Sequence, residues 1–321
     1  MIKERYLITG GSGFIGTNLI NSMIDDNSIE LLSIDISEPK IETHKKRWKQ
    51  ISLTDLNNLE EVIGKFSPTI VIHLGARTDL DGKTLNDYNA NIEGVRNLLK
   101  ILNKVQGLKR AIFASSMYVC KPGYIPKDFE DYCPHTIYGE SKVLTEKIIR
   151  NHNPQYVWSI IRPTSIWGPY FGEPYNLFFK IVLSRKYFHM GNRACSKTYG
   201  YIDNTIYQIQ SILESDEQKI NKKIFYLGDY TPYNITEWSN EIALEAGFKI
   251  PEIPYFIFRC GGWVGDLLKN TGVTFPMTSF RLRNMTTDNI INLDLIKEIA
   301  PHLPVSRKEG VRRTIEWIKN N

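Results

Sequence analysis

A tyrosine and a lysine four residues apart are the side chains of this sequence best suited to moving a proton. Tyr138 and Lys142 fall in a segment with a helical pattern, Tyr138–Asn151, so the phenol and the ammonium lie on one face. An ammonium beside a tyrosine favours the phenolate and lowers its pKa from about 10 towards the working range. The pair therefore predicts an acid–base site, although the same spacing also arises by chance in helices.

Two hydroxyl groups precede this helix in the chain. The apolar run Arg110–Ser115 has the pattern of a strand and leads directly into Ser116. Ligands of parallel α/β sheets bind at the carboxyl ends of the strands, so Ser116 is predicted to hydrogen-bond the reacting oxygen beside Tyr138. Taken alone, Ser116 is better explained as a turn serine that bonds its own backbone.

A glycine-rich loop near the N-terminus suits a phosphate group. Within the segment Thr9–Gly16, the glycines Gly10, Gly13 and Gly16 lack a Cβ, so the backbone can turn tightly and approach a pyrophosphate. The phosphate charge then meets the N-terminus of the following helix. Asp35 ends the next strand, 19 residues after Gly16, where a carboxylate can bond the hydroxyls of an adenosine ribose. A strand, this loop and a helix in succession predict a dinucleotide site.

The first half of the chain alternates short apolar runs with longer amphipathic ones. The strand-like runs are Tyr6–Thr9, Leu31–Ile34, Ile70–Leu74, Arg110–Ser115 and Tyr156–Arg162, and the helix-like segments are near Phe14–Ile24, Asp55–Phe66, Leu85–Gln106 and Tyr138–Asn151. Strands rich in Ile, Leu and Val without polar alternation indicate a parallel sheet covered on both faces. We expect an α/β fold, a Rossmann-like doubly wound parallel sheet with a smaller, irregular C-terminal substrate-binding region.

The boundary between these two parts lies where the pattern loosens and turn residues become frequent, after Arg162-Pro163. We expect a Rossmann domain over residues 1–165, with returning elements at about 201–230, and a mainly substrate-binding region over 166–321. The segment Asn89–Val105 is apolar over more than one helical stripe. Either its own domain covers this surface or a partner subunit does.

Composition excludes several classes of protein. Of the 321 residues 42% are hydrophobic, as in ordinary globular proteins. Four cysteines and six histidines show no ligand-like spacing, so we expect neither a metal site nor disulfides. No secretory leader is recognisable, and the most apolar stretch, Ile253–Leu268, includes Arg259 and Asp266. We therefore expect a cytoplasmic protein that makes no contact with a membrane.

Taken together, these residues resemble the extended short-chain dehydrogenase/reductase family, the NAD-dependent epimerases and dehydratases of nucleotide sugars. The resemblance runs through nearly the whole chain. Its motifs, in chain order, are Thr9–Gly16, Asp35, His73–Ala76, Asn91 with Gly94 and Asn97–Leu99, Ser115-Ser116, Tyr138–Lys142, Arg162-Pro163, Gly168-Pro169, Tyr201–Asp203 and Pro304–Gly310. It implies NAD as cofactor, a nucleotide-diphosphate sugar as substrate, a homodimer and a role in polysaccharide biosynthesis.

Position by position, the resemblance implies a role for each matching residue. Tyr138 would be the acid/base, Lys142 would hold the nicotinamide ribose and tune Tyr138, and Ser116 would orient the substrate oxygen. The dinucleotide would be held by Gly10, Gly13, Phe14, Ile15, Gly16 and Asp35, with Leu74, Gly75, Ala76, Asn91 and Ser115 along its path. The candidates for contact with the substrate, each equally well explained as a solvated or structural polar residue, are Asn176, Lys197 and Arg281.

Departures from the family pattern reduce the number of reactions that this chain is expected to catalyse. Where the family dehydratases carry an Asp-Glu pair after the catalytic hydroxyl, this chain has Met117 and Tyr118, so removal of water from the sugar is disfavoured. We expect an epimerase that oxidises one sugar carbon and reduces it again from the other face. The favoured carbon is C4. The same residues would serve a 4-ketoreductase or dehydrogenase with net cofactor turnover. A dinucleotide-binding protein without turnover is the third alternative.

The positive charge of the chain is concentrated in one segment. The net charge is +5, and Lys40–Gln50 alone contributes +4, which leaves +1 for the other 310 residues and argues against a nucleic-acid partner. Because this segment begins five residues after Asp35, it suggests a site for the 2′-phosphate of NADP. The carboxylate of Asp35 would face that phosphate directly. We therefore expect a solvated charged loop here, and NAD in preference to NADP.

Overall fold

A computed structural model describes residues 3–191, 195–270, 279, 282 and 285–321 of the chain. Its central sheet is built from β1 (Glu4–Thr9), β2 (Ile29–Asp35), β3 (Trp48–Gln50), β4 (Ile70–His73), β5 (Arg110–Ala114), β6 (Val157–Pro163) and β10 (Lys223–Leu227). The seven strands run parallel in the order β10-β6-β5-β4-β1-β2-β3. The order reverses direction between β1 and β4, which is the point where doubly wound sheets bind ligands.

Helices cover both faces of this sheet. They are α1 (Phe14–Met23), α2 (Leu56–Phe66), α3 (Asn89–Leu102), α4 (Ile137–His152), α5 (Leu177–Leu183), α6 (Ile202–Glu214), α7 (Glu217–Ile220), α8 (Ile235–Glu245), α9 (Tyr255–Asn270), α10 (Asp294–Ile299) and α11 (Arg307–Asn320). Successive residues of a strand point to opposite faces, and Leu7 and Ile8 of β1 are both fully buried. Leu7 packs with residues of α2, α3 and α4, whereas Ile8 packs with residues of α1 and α6. The predicted Rossmann-like doubly wound fold is therefore confirmed.

Side-chain caps explain where two of these helices begin. The Asp55 carboxylate accepts the Asn58 N–H at 3.3 Å at the start of α2, and the Thr136 hydroxyl accepts the Gly139 N–H at 3.0 Å at the start of α4. The helix predicted over Leu85–Gln106 is instead divided. A 3₁₀ turn with its own capping box precedes α3, which ends at Leu102.

The wide apolar surface of α3 is covered largely within the chain. Val95, Leu98, Ile101 and Leu102 are buried in the core shared with the sheet. Ile92 is half-buried. The domain itself accounts for most of this apolar surface, and the homodimer stays a prediction.

Most charged side chains of the basic segment Lys40–Gln50 are exposed, as expected of a solvated segment, but the segment is not a loop throughout. Residues Glu42–Arg47 form a 3₁₀ turn, and Trp48–Gln50 form β3, which pairs with β2 at the edge of the sheet. The Lys45 ammonium lies 3.4 Å from the carboxylate of Glu38 and 3.0 Å from that of Glu42. A short, charged edge strand is a common way to prevent pairing with another chain.

The C-terminal region is smaller and less regular. Strand β7 (Ser165–Trp167) pairs with β9 (Tyr199–Tyr201), and β8 (Ser196–Lys197) pairs with β11 (Tyr233–Asn234). Its core is aromatic, because the buried Trp167 ring contacts the rings of Phe179, Tyr201, Tyr233 and Trp238 at centroid distances of 4.9–6.1 Å. This cluster holds the region against the carboxyl end of β6.

Helix α9 presents an apolar surface to solvent. Phe256, Trp263 and Leu267 are largely exposed, and the Arg259 guanidinium lies over the Trp263 ring at 5.5 Å. Within the described part of the chain, no helix combines the length and the apolar character needed to cross a membrane.

Candidate active site

A cleft of about 560 Å³ runs along the carboxyl ends of β1, β2, β4, β5 and β6. Of the residues predicted for the cofactor and the chemistry, those that line it are Gly10, Gly13, Phe14, Ile15, Gly16, Asp35, Leu74, Gly75, Ala76, Ser115, Ser116, Tyr138 and Lys142. Segments more than one hundred residues apart in the chain therefore meet in one site. The parallel sheet causes this meeting, because its strands all end at the same edge.

The glycine loop is closed so tightly that side chains would not fit. Gly10 has a φ of +73°, a conformation that favours glycine, and its N–H bonds the Ile34 carbonyl at 2.8 Å. A Cβ on Gly16 would lie 2.2 Å from the Gly10 carbonyl oxygen. The Thr17 N–H bonds the Gly13 carbonyl at 2.8 Å, so α1 begins directly at the loop. Its N-terminus therefore faces the cleft and favours an anion there.

Asp35 is held in place by the loop beside it. One carboxylate oxygen accepts the N–H of Ser12 at 3.0 Å, and the other accepts the N–H of Ser37 at 2.9 Å. The Ser12 hydroxyl in turn donates to the Ser37 carbonyl at 2.7 Å. Ser12 and Ser37 also line the cleft, and sequence analysis did not identify either of them.

Asn91 lies behind the cleft and does not line it. Its side-chain carbonyl accepts the Arg77 N–H at 2.7 Å, and its amide donates to the Arg77 carbonyl at 3.0 Å and to Ser141 at 3.2 Å. These bonds tie the loop that follows β4, which carries Leu74, to helix α4. Asn91 therefore positions the wall of the cleft.

Ser116, Tyr138 and Lys142 come together at the end of β5. Tyr138 is 5% exposed, and its ring packs edge-on against Tyr118 at a centroid distance of 6.1 Å. The Lys142 ammonium lies 5.9 Å from the centre of the Tyr138 ring and donates to the Ala114 carbonyl at 2.9 Å. The Ser116 hydroxyl accepts the Tyr118 N–H at 3.2 Å. The turn after β5 therefore fixes Ser116, and helix α4 fixes the other two side chains.

Burial is the largest influence on the pKa values of Tyr138 and Lys142. It raises the pKa of Tyr138 well above the usual value, and a hydrogen bond with Ser116 acts in the opposite direction. Burial also lowers the pKa of Lys142 to about 8, while the nearby Glu146 carboxylate acts against this shift. Burial is the largest influence on the Tyr138 pKa and the Lys142 ammonium is turned to the Ala114 carbonyl, so a lowering of this pKa by Lys142 stays a prediction.

A buried ion pair lies one helical turn from Lys142 in α4. The Glu146 carboxylate, one helical turn further along α4, accepts bonds of 2.8 Å from the Arg162 guanidinium at both oxygens. Tyr132 donates to the same carboxylate at 3.0 Å, and Tyr226 accepts from Arg162 at 2.9 Å. Because both charges are buried and fully bonded, this network fixes α4 against β6.

The low pKa of Lys142 makes the stability of the fold depend on pH. Between pH 8 and 10.5 the unfolded chain holds a proton on Lys142 that the folded chain has released, so stability rises with pH in that range. Over this pH range, the unfolding free energy of the wild type is expected to rise by about 3 kcal/mol relative to that of a Lys142→Met variant. Urea denaturation at about pH 7 and about pH 10 measures this.

Lys147→Met, which removes an exposed lysine of the same helix, provides the matched control. It keeps Lys142, so its unfolding free energy should rise with pH in the same range as that of the wild type. A difference between Lys142→Met and the wild type that stays constant with pH would contradict the low pKa of the buried ammonium.

The cleft has the features that a dinucleotide requires. The Ser115 hydroxyl is buried and has no hydrogen-bond partner in the protein, so a ligand in the cleft can supply one. The glycine loop offers backbone N–H groups at the start of α1, and Asp35 offers a fixed carboxylate. These residues fit NAD.

Of the three residues predicted for the substrate, the structure describes Asn176 and Lys197, and neither lines the cleft. Asn176 precedes α5 next to Tyr175, which lines the cleft, and its side-chain oxygen is buried without a partner. Lys197 lies on β8, pairs with Tyr233 of β11 and does not line the cleft. Arg281 lies outside the described residues. Tyr175 itself was missed, because it stands in a turn-rich stretch with no periodic pattern.

Comparison with known proteins finds relatives over almost the whole chain. An N-acetyl-α-D-glucosaminyl-diphospho-ditrans,octacis-undecaprenol 4-epimerase of Escherichia coli O157:H7 is 26% identical, over 98% of this chain and 96% of that protein. The UDP-glucose 4-epimerase of Thermotoga maritima, solved with UDP-glucose, has a TM-score of 0.74 at 20% identity, over 98% of this chain and 99% of the other. The UDP-glucuronic acid 4-epimerase of Bacillus cereus, solved with UDP-glucuronic acid and NAD, has a TM-score of 0.75 at 17% identity, with the same coverage.

The family assignment rests on a model that matches most of the chain. The model of the NAD dependent epimerase/dehydratase family covers residues 6–228, from the first strand of the sheet to the last. The matched residues include the glycine loop, Ser116, Tyr138 and Lys142. NAD is the cofactor of this family, and the cleft fits it. The chain belongs to the NAD-dependent epimerase/dehydratase family, within the extended short-chain dehydrogenases/reductases.

Proposed function

We infer that this protein is an NAD-dependent epimerase that inverts C4 of a sugar carried on a diphosphate. The observation that carries the proposal is the meeting of Ser116, Tyr138 and Lys142 with the glycine loop in one cleft. The structural neighbours named above were solved with UDP sugars, and the Escherichia coli relative is named for a sugar on a lipid diphosphate. The proposal includes a cytoplasmic location, a homodimer and a role in polysaccharide biosynthesis.

The reaction needs a group of the protein that takes a proton and later returns it. When bound, NAD would supply the chemistry of hydride acceptance from C4 and of hydride return to the other face. Tyr138, ionised to the phenolate, would take the proton of the C4 hydroxyl and later give it back. Ser116, bonded to Tyr138, would hold the same sugar oxygen. Lys142, fixed by the Ala114 carbonyl, would bond the ribose hydroxyls and stabilise the phenolate of Tyr138 before it takes the proton.

The acidic groups of the cleft favour this reaction over loss of water. Among the described residues that line it, Asp35 is the sole carboxylate, and it lies at the loop beside Ser12. Met117 and Tyr118 occupy the wall next to Ser116 and carry no carboxyl group. A dehydratase needs a carboxylic acid near the reacting sugar, so reversible oxidation at one carbon is the better match.

Asp35 also sets the expected choice of cofactor. Its fixed carboxylate would repel the 2′-phosphate of NADP, and none of Lys40–Gln50 lines the cleft to offset this. The dissociation constant for NADP is expected to be at least about tenfold higher than that for NAD. Asp35→Asn keeps an acceptor oxygen but removes the charge, so the dissociation constants for NADP and NAD should become more similar. Tighter binding of NADP by the wild type, measured by calorimetry, would contradict the proposal.

The proposal is tested by incubating the protein and NAD with UDP- and GDP-linked sugars and with a lipid-linked sugar diphosphate. NMR of the products should show inversion at C4 without accumulation of reduced cofactor. Stoichiometric conversion of the cofactor would instead indicate a 4-ketoreductase or dehydrogenase. Tight NAD binding without turnover of any of these sugars would indicate a non-catalytic dinucleotide-binding protein.

A further inference from the structure

A second and larger cavity, of about 820 Å³, adjoins the active-site cleft. Met117 and Tyr118 line both, so the cavity begins directly behind the catalytic Ser116. It is enclosed by the segment 117–129, by strand β10 with the residues up to 232, and by the segment 289–297. We name it the β10 cavity. Of the residues expected to contact the substrate, Asn176 and Lys197 do not line it.

The walls of the β10 cavity are apolar although they include tyrosines. The protein engages the hydroxyl of three of the four: Tyr124 donates to Asp131 at 2.8 Å, Tyr226 accepts from Arg162 at 2.9 Å, and Tyr230 donates to the Ala300 carbonyl. What these residues present to the cavity is therefore mainly ring surface. A polar ligand such as a nucleobase would find few unused hydrogen-bonding groups on them, whereas a hydrocarbon would lose nothing.

Two of the polar side chains at the cavity are also engaged. The Asn289 side-chain oxygen accepts the Gly123 N–H at 3.1 Å, and the Asn292 amide donates to Asp294 at 2.9 Å. The first bond joins the segments 117–129 and 289–297, and the second lies within 289–297. Both bonds fix the position of these side chains, so neither asparagine depends on a ligand for a hydrogen-bond partner.

The mouth of the cavity is apolar and positively charged. Ile125 is 87% exposed and Ile290 is 59% exposed, and both line the cavity. Around them lie five exposed charged residues that line the cavity, three lysines and two aspartates with a net charge of +1: Lys121, Lys127, Lys297, Asp128 and Asp294. The lysine ammonium groups can meet the anionic head of a ligand whose hydrocarbon chain packs on the apolar wall.

We propose that the β10 cavity holds the hydrocarbon chain of a polyprenyl diphosphate, and that the sugar epimerised by this protein is carried on such a lipid. The sugar would lie at Ser116 and Tyr138, and the chain would pass Met117 into the cavity. The diphosphate between them would lie where the cavity adjoins the cleft, and the positive charge of the lysines around the cavity would attract it. This inference rests on the proposed function, which it deepens by naming the carrier of the sugar.

The test compares two substrates, farnesyl-diphosphate-linked and UDP-linked N-acetylglucosamine. The variant Ile125→Glu/Ile290→Glu changes two exposed residues, so the fold should be retained, and it places two carboxylates on the apolar wall that would hold the hydrocarbon. We expect KM for the farnesyl-linked sugar to rise at least about tenfold, with kcat and KM for the UDP-linked sugar unchanged. Leu244→Glu, a change of an exposed leucine on α8, is the matched control and should leave both substrates unaffected.

Binding of farnesyl diphosphate alone, measured by calorimetry, separates this inference from the proposed function. Binding to the wild type that the double variant loses would support the cavity assignment even if no sugar is epimerised, an outcome in which the proposed function fails. Absence of binding would overturn the assignment. Equal KM values for both substrates, unaffected by the double variant, would also overturn it while leaving the epimerase intact.

Discussion

Replacement of Tyr138 by phenylalanine is expected to lower kcat by about a thousandfold, the usual loss when a general acid–base group is removed. The ring stays buried and keeps its contact with Tyr118, so the fold should be unaffected. The phenol oxygen is the group that moves the proton of the sugar hydroxyl in our account, and neither Ser116 nor Lys142 can replace it at the same position. Initial rates of C4 inversion and a thermal unfolding curve measure the two quantities.

Tyr88→Phe is the matched control for this prediction. The Tyr88 ring is fully buried, and its centre lies 5.9 Å from that of Tyr138. Its hydroxyl donates to the Asp79 carbonyl at 2.8 Å and accepts the Gly82 N–H at 3.2 Å, so it serves the structure. This variant should lose about 1 kcal/mol of stability and keep its activity. Retention of activity by Tyr138→Phe, or equal loss by both variants, would refute the role of Tyr138.

The second large effect is expected for Gly16→Ala. The added Cβ would lie 2.2 Å from the Gly10 carbonyl oxygen and 2.7 Å from the Gly11 Cα, and backbone atoms cannot move aside without opening the loop. Displacement of the loop removes N–H groups from the pyrophosphate. Loss of two bonds to a charged group corresponds to a rise of about a hundredfold in the dissociation constant for NAD. Titration with NAD, followed by calorimetry, measures it.

Gly64→Ala supplies the control for a glycine-to-alanine change as such. Gly64 lies in α2, and a Cβ there would have nothing within 4 Å. This variant should gain about 0.5–1 kcal/mol of stability and bind NAD as the wild type does. If Gly16→Ala also binds NAD normally, the loop does not hold the cofactor in the way we describe.

The sheet could be predicted from sequence because its signal is local. Leu7 and Ile8 are consecutive apolar residues that must be buried on opposite faces, and this pattern recurs in each central strand. Strand β3 gave no such signal. Its residues Trp48–Gln50 are few and mostly polar, and their strand conformation depends on pairing with Ser33–Asp35 of β2. The charge of the segment therefore indicated a loop, although the pairing makes it an edge strand.

The candidate site was predictable where function depends on residue type and spacing, and not where it depends on burial. Tyr138 and Lys142 are four residues apart, and the helix brings them to one face as predicted. Whether the pKa of Tyr138 is raised or lowered depends on how deeply the ring is buried. The Lys142 ammonium bonds the carbonyl of Ala114, which lies 28 residues away in the chain. Asn91 likewise bonds the backbone of Arg77, a contact that no spacing indicates.

The most direct test of our account is the fate of the hydrogen on C4 of the sugar. A sugar diphosphate that carries deuterium at C4 is incubated with the protein and NAD, and the product is analysed by NMR and mass spectrometry. We predict the C4 epimer with the deuterium still on C4, and no accumulation of reduced cofactor. Inversion with loss of deuterium to water, or no inversion of any diphosphate-linked sugar, would contradict epimerisation by hydride transfer at this site.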